Sequence, residues 1–249
     1  MRTAQDFISE IPVLKPSEQI TKARQILRDD RFREVYVVDA KKTLLGYIDI
    51  TDGLRVTATK SNVTIEGFVR QAPVANPMDS IEQVARTMRQ FHTDSVAVVD
   101  EKSHVVGGVL LADLFPVLVS RNELNGSVSQ RMTGKVIAAH PGDELQKVYT
   151  MIRDSGFSAF PVIEKKKLVG IITRRDMIGS KRVRSAIVQH AHTTIADMMT
   201  REVVTIGPDE LISAAAELIV RHDVSLLPVV DGEHLVGVVN RHDVLAALA

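Results

Sequence analysis

Apolar positions fall into the same two rhythms four times along this chain. Ile20, Ala23 and Leu27; Ile81, Val84, Ala85 and Met88; Leu145, Val148, Tyr149 and Ile152; and Ile212, Ala215, Ala216 and Ile219 recur at i, i+3 or i+4 and i+7. That stripe is what one buried helix face requires. After each stripe comes a short β-branched run: Val35–Asp39, Val96–Asp100, Phe160–Glu164 and Leu227–Asp231. A polar turn such as Glu164–Lys167 or Asp231–His234 then leads into a second apolar run that starts with glycine. Two such runs across a polar turn predict a β-hairpin.

The glycine-led runs are Gly46–Asp52, Gly107–Asp113, Gly170–Asp176 and Gly237–Asp243, each with Asp six residues after Gly. Each predicts a strand that passes into a helix. Upstream, Pro16, Pro77, Pro141 and Pro208 precede these glycines by 30, 30, 29 and 29 residues. A further short strand, such as Lys135–Ala139 or Glu202–Ile206, is expected before each proline. Arg28, Arg89, Arg153 and Arg221 close the striped helices, where a cation complements the dipole.

The repeating unit is therefore β-α-β-β-α, an α+β architecture, with copies over 1–57, 64–120, 127–180 and 193–249. A unit of about 60 residues buries only about 60% of its surface on folding. Repeats one and two are thus expected to pack as a pair, and three and four likewise. The polar stretch Ser120–Ser127 is the expected separator.

Composition narrows the chemistry. Lys plus Arg and Asp plus Glu both total 31, so no net charge draws the chain to nucleic acid or an anionic membrane. The absence of cysteine removes disulfides, thiol nucleophiles and Cys-based metal sites. No apolar run is long enough to span a bilayer, and the N-terminus lacks a signal-peptide core, so a soluble cytoplasmic protein is expected.

The fourfold pattern resembles CBS domains, and each consecutive pair resembles a Bateman module. Met132–Thr133 and Met199–Thr200, the apolar-Pro-Val hairpins and the Gly-to-Asp turns carry the resemblance over nearly the whole chain. Four in a row resemble the γ subunit of AMP-activated protein kinase and the stand-alone CBS proteins of microbes. The resemblance implies two pseudo-twofold pairs with adenosine compounds bound in their clefts: AMP, ADP or ATP, with S-adenosylmethionine as an alternative. It also implies regulation of a protein partner, and allows a homodimer. It implies no catalytic residue, no metal and no catalytic cofactor.

By the same resemblance, a Ser or Thr three residues before the Asp touches ribose or phosphate, and the Asp accepts ribose hydroxyls. Repeat three matches in full with Thr173, Arg174, Arg175 and Asp176. Repeat four has Asn240, Arg241, His242 and Asp243. Adenine is expected against Val136 and Ser158, Ala159, Phe160 and Pro161, with Val203 and Ser225, Leu226, Leu227 and Pro228 as counterparts. Repeat one places Asp49 where the hydroxyl belongs, with no cation between it and Asp52. Repeat two has Leu110, Leu111 and Ala112, leaving Asp113 to the helix.

Thr173 with Asp176 and Asn240 with Asp243 also read as helix N-cap pairs. Three arginines in first helical turns oppose the dipole, which favours a ligand role. Lys181–Arg184 reads as a solvated face, and His190 with His192 lacks convergent metal geometry. Met78, Met88, Met132, Met151, Met177, Met198 and Met199 read as packing residues. The leading expectation is a ligand sensor; a ligand-free interaction scaffold is the alternative, and an enzyme is disfavoured because no nucleophile-base set stands outside the repeats.

Overall fold

The computed structural model describes residues 2–27, 29, 31–55, 62–121, 123–174, 176 and 193–247. Arg28, Arg175, Met177, Lys181–Arg184, His190 and His192 lie outside the described residues. The chain divides into two compact units, 1–121 and 122–249, with the division inside the polar stretch after Ser120.

In the first unit, β1 (Val13–Leu14), β2 (Glu34–Val38) and β3 (Leu44–Asp49) form one sheet, and β4 (Val74–Ala75), β5 (Ser95–Val99) and β6 (Val105–Leu110) form its counterpart. In each, the short first strand runs parallel to the second, and the second and third make the antiparallel hairpin. Helices Ile20–Ile26 and Ile81–Phe91 connect first to second strands, as a parallel crossover requires. The second helix starts on a capping box, Ser80 Oγ accepting from the Gln83 N–H at 3.2 Å, and ends at left-handed His92. Ile20, Ala23, Leu27, Ile81, Val84, Ala85 and Met88 are all buried.

In the second unit, β7 (Ala159–Glu164), β8 (Lys167–Thr173), β9 (Leu226–Asp231) and β10 (His234–Asn240) form one sheet in the order β7-β8-β10-β9. The two hairpins join at their turns: Leu168 N–H donates to Glu233 O at 3.0 Å, Leu235 N–H to Lys166 O at 3.1 Å, and Lys167 pairs with Glu233. The first unit has the same junction, with Leu44 N–H on Ser103 O and Val105 N–H on Lys42 O, both at 3.0 Å. Helices Leu145–Ser155 and Ile212–His222 bury the predicted stripes except Tyr149, which is only partly covered.

The expected strands Lys135–Ala139 and Glu202–Ile206 shrink to single parallel bridges, Ala139 to Val162 and Ile206 to Val229. The reason is that the preceding residues are paired elsewhere. Thr133 bridges Val238 and Thr200 bridges Ile171, each in the other repeat of the pair, so the chain passes from one hairpin to the other within six residues. The first unit makes the same exchange, Ser9 with Gly108 and Arg70 with Tyr47. Each repeat thus lends a segment to its partner's third strand.

This exchange explains the glycine inside each third strand. A Cβ on Gly46 would sit 2.3 Å from Arg70 O, and one on Gly170 would sit 2.9 Å from Thr200 O. Only glycine lets the two backbones approach this closely.

Met88, Met151 and Met199 are buried as expected, but Met78 is 73% exposed: it follows Pro77 in the loop ahead of its helix. Among the described residues no helix is long and apolar enough to cross a membrane.

Candidate functional site

The sheet register of the second unit collects the motif residues at one seam. Ala159 pairs with Thr173 across β7 and β8, and Leu226 pairs with Asn240 across β9 and β10. Ser158 and Ser225, one residue before each hairpin, bring their hydroxyl oxygens to 3.4 Å of each other. Arg174 N–H donates to Ser158 O at 2.7 Å, tying the start of repeat three's last helix to the same seam. Val136 and Val203 stay half-buried at the crossing segments, while Phe160, Pro161, Leu227 and Pro228 are buried. Thus Thr173, Asp176, Asn240 and Asp243 stand on the two sides of one local pseudo-twofold.

Both polar pairs close on themselves as caps. The Asp176 carboxylate accepts from the Thr173 N–H and hydroxyl, each at 2.7 Å, and Asp176 N–H donates to Thr173 Oγ1 at 3.3 Å. In repeat four, Asn240 N–H donates to the Asp243 carboxylate at 2.8 Å and Asp243 N–H to Asn240 Oδ1 at 3.0 Å. Burial pushes the Asp243 carboxyl above its ordinary pKa, against the pull of the Asn240 N–H.

The arginines are less available than the sequence suggests. Arg174 is only 2% exposed, and Arg241 Nη2 donates to Asp223 Oδ1 at 3.2 Å. His242 is half-buried beside it.

The first unit treats the equivalent places differently. Arg33 and Asp94, which precede β2 and β5, stand where Ser158 and Ser225 stand in the second unit, and they form an ion pair at 3.1 Å. Ile11 and Ala72, in the places of Val136 and Val203, are buried, together with Tyr36, Tyr47, Ala97 and Leu110. Repeat two's Leu110 and Leu111 are buried as well, consistent with a half-site that offers no polar group.

Asp49 and Asp52 are not left uncompensated. Arg70, from the exchanged segment of repeat two, reaches both carboxylates with Nη2 at 2.6 and 2.7 Å and lies 4.9 Å over the Tyr47 ring. Burial pushes the Asp49 carboxyl up, but the Thr51 hydroxyl and Arg70 outweigh it, so it titrates below its ordinary range. Burial and the neighbouring Asp49 charge raise Asp52. Because Arg70 is 46% exposed, solvent screens the pairing. Arg70→Ala should therefore cost about 1–2 kcal/mol at neutral pH rather than the 3–5 of a fully buried pair. The penalty should shrink toward pH 4, where Asp52, raised above its usual value, can take up a proton; unfolding at pH 4 and 7 measures the difference.

Position 70 also points to two positions that sequence reasoning left out of the candidate site. Tyr47 and Arg70 exchange two backbone hydrogen bonds at 2.9 Å, and Ile171 and Thr200 do the same at 2.9 Å. A side chain at 200 is therefore placed toward the Thr173–Asp176 cap as Arg70 is toward Asp49–Asp52, and Thr133 is placed likewise toward Asn240–Asp243. The Met-Thr pairs ahead of the strands were the available signal. Among the described residues no cluster of His, Asp and Glu could hold a metal ion.

The CBS domain family model matches residues 4–58, 65–120, 126–181 and 195–249. The chain belongs to the CBS domain family. It is 26% identical to protein MJ1225 of Methanocaldococcus jannaschii over 279 residues, covering all of this chain and 98% of that one. The crystal structure of MJ1225, a proposed archaeal homologue of γ-AMPK, superposes with a TM-score of 0.79 over 98% of this chain and 99% of that chain, at 21% identity. A conserved protein of Pyrococcus horikoshii gives 0.70 over the full length of both chains at 20% identity. These likenesses show the four-CBS fold. An inosine-5'-monophosphate dehydrogenase of Korarchaeum cryptofilum is 33% identical over 220 residues, 88% of this chain but 42% of the enzyme. The chain thus spans less than half the length of that relative.

Proposed function

We propose that this CBS protein is a regulatory sensor that takes an adenosine compound, AMP, ADP or ATP, in the seam of its second unit and reports occupancy to a protein partner. The observation that carries this reading is the gathering of Thr173, Asp176, Asn240 and Asp243 beside Ser158 and Ser225, six small polar side chains around one pseudo-twofold. Carboxylates and hydroxyls at that spacing suit a ribose, and the apolar hairpin starts suit a purine face. Arg241 can exchange its exposed partner Asp223 for a phosphate, because an exposed ion pair contributes little. Regulation then needs only that the ligand favour one of two states of the chain.

The test is thermal unfolding with AMP, ATP and S-adenosylmethionine. A ligand at 100 times its dissociation constant adds about 2.7 kcal/mol of stability. Asp176→Ala should itself cost about 1 kcal/mol through the lost cap and should also abolish most of the ligand-induced shift. A wild-type protein whose stability ignores all three compounds would sink the sensor reading and leave the interaction scaffold.

A further inference from the structure

We propose that the seam between the first two repeats is a proton-linked latch whose titrating group is Glu34. This seam belongs to the first unit, and the proposal does not depend on any ligand in the second. Glu34 opens β2 and is 5% exposed, yet its carboxylate bonds entirely to the other repeat. Oε1 accepts from the Asp94 N–H at 3.0 Å, and Oε2 accepts from the Ser95 hydroxyl at 2.8 Å. Ser95 Oγ lies 2.9 Å from the buried Tyr36 hydroxyl, so a chain of three oxygens runs across the seam.

The charges around this chain do not balance in its favour. Arg33, the residue before Glu34, is paired with Asp94 at 3.1 Å. Asp49 sits opposite Glu34 in the β2–β3 register and is held by Arg70. Tyr36 and Tyr47 are titratable groups nearby, and both are displaced upward, chiefly by burial. Burial and the Asp94 charge push Glu34 up to about 7, with Arg33 and the Asp94 N–H pulling the other way.

The two protonation states need opposite hydrogen-bond directions. With Glu34 charged, Tyr36 donates to Ser95 and Ser95 donates to Glu34. With Glu34 neutral, its proton can go to Ser95 Oγ, which then donates to Tyr36. Because the folded value lies above the ordinary 4.5, the native state holds the extra proton between the two. The seam's contribution is therefore complete below the unfolded value and is lost as pH rises through about 7.

Amide hydrogen exchange at Asp94 in the full chain, corrected for intrinsic base catalysis, reads the latch directly. Protection in the wild type should fall about tenfold between pH 6 and pH 8.5, and Glu34→Gln should show no such fall. The chain's eight histidines also titrate near this range, and the Gln variant separates their effect. Carbon-13 titration of the wild-type Glu34 carboxyl gives a second reading that needs no variant, with an expected midpoint near 7. A midpoint below about 5, protection in the wild type that does not change with pH, or the same fall in Glu34→Gln would each overturn the proposal.

Discussion

Gly46→Ala should destabilise the first unit by about 3 kcal/mol, the upper end of what overpacking costs. The added Cβ would lie 2.3 Å from Arg70 O and 2.5 Å from Val69 Cγ1. The first of these is backbone, and it belongs to the segment whose 2.9 Å hydrogen bonds with Tyr47 join the two repeats. No rotamer relieves the contact, so the segment must withdraw, and Arg70 withdraws with it from Asp49 and Asp52. Gly67→Ala is the control: a Cβ there meets nothing within 4 Å, and no loss is expected. Urea unfolding followed by circular dichroism measures both. A Gly46→Ala midpoint equal to wild type would mean that the exchanged segment contributes nothing to the pairing of repeats.

The same exchange marks the limit of what could be read from the chain. Helical stripes, hairpins and constant proline-to-glycine spacing are local patterns, and they place the four striped helices and the four hairpins. The first strands of repeats three and four are shorter than expected: their β-branched residues look like a ladder, while the structure sends Thr133 and Thr200 to the other repeat's hairpin. Nothing local encodes that detour except the glycine that receives it. The site was legible as residue types and as alignment with the hairpin starts. The state of its cations was not: burial of Arg174 and the Arg241–Asp223 pair depend on packing. Likewise Arg70, 18 residues beyond Asp52, became the counterion of repeat one only through the pairing of repeats.

Tyr36→Ala should cost more than any other single truncation in the seam of the first unit, about 3–5 kcal/mol, because it empties the volume of a large buried ring. Tyr36 is fully buried, and its place in repeat two is held by Ala97, whose side chain is too small to fill the volume. Tyr36→Phe keeps the ring and removes only the hydroxyl, and Ser95 still donates to Glu34; about 1 kcal/mol should be lost. The two variants should also differ in their response to pH. A cavity beside Ser95 admits water to the Glu34 carboxylate, which weakens the burial that raises its pKa and draws it back toward the ordinary range. Tyr36→Ala should thus lose most of the pH dependence of Asp94 exchange, while Tyr36→Phe should retain it. Retention in both would show that burial by Tyr36 is not what tunes Glu34, and would shift that role to the Asp94 charge.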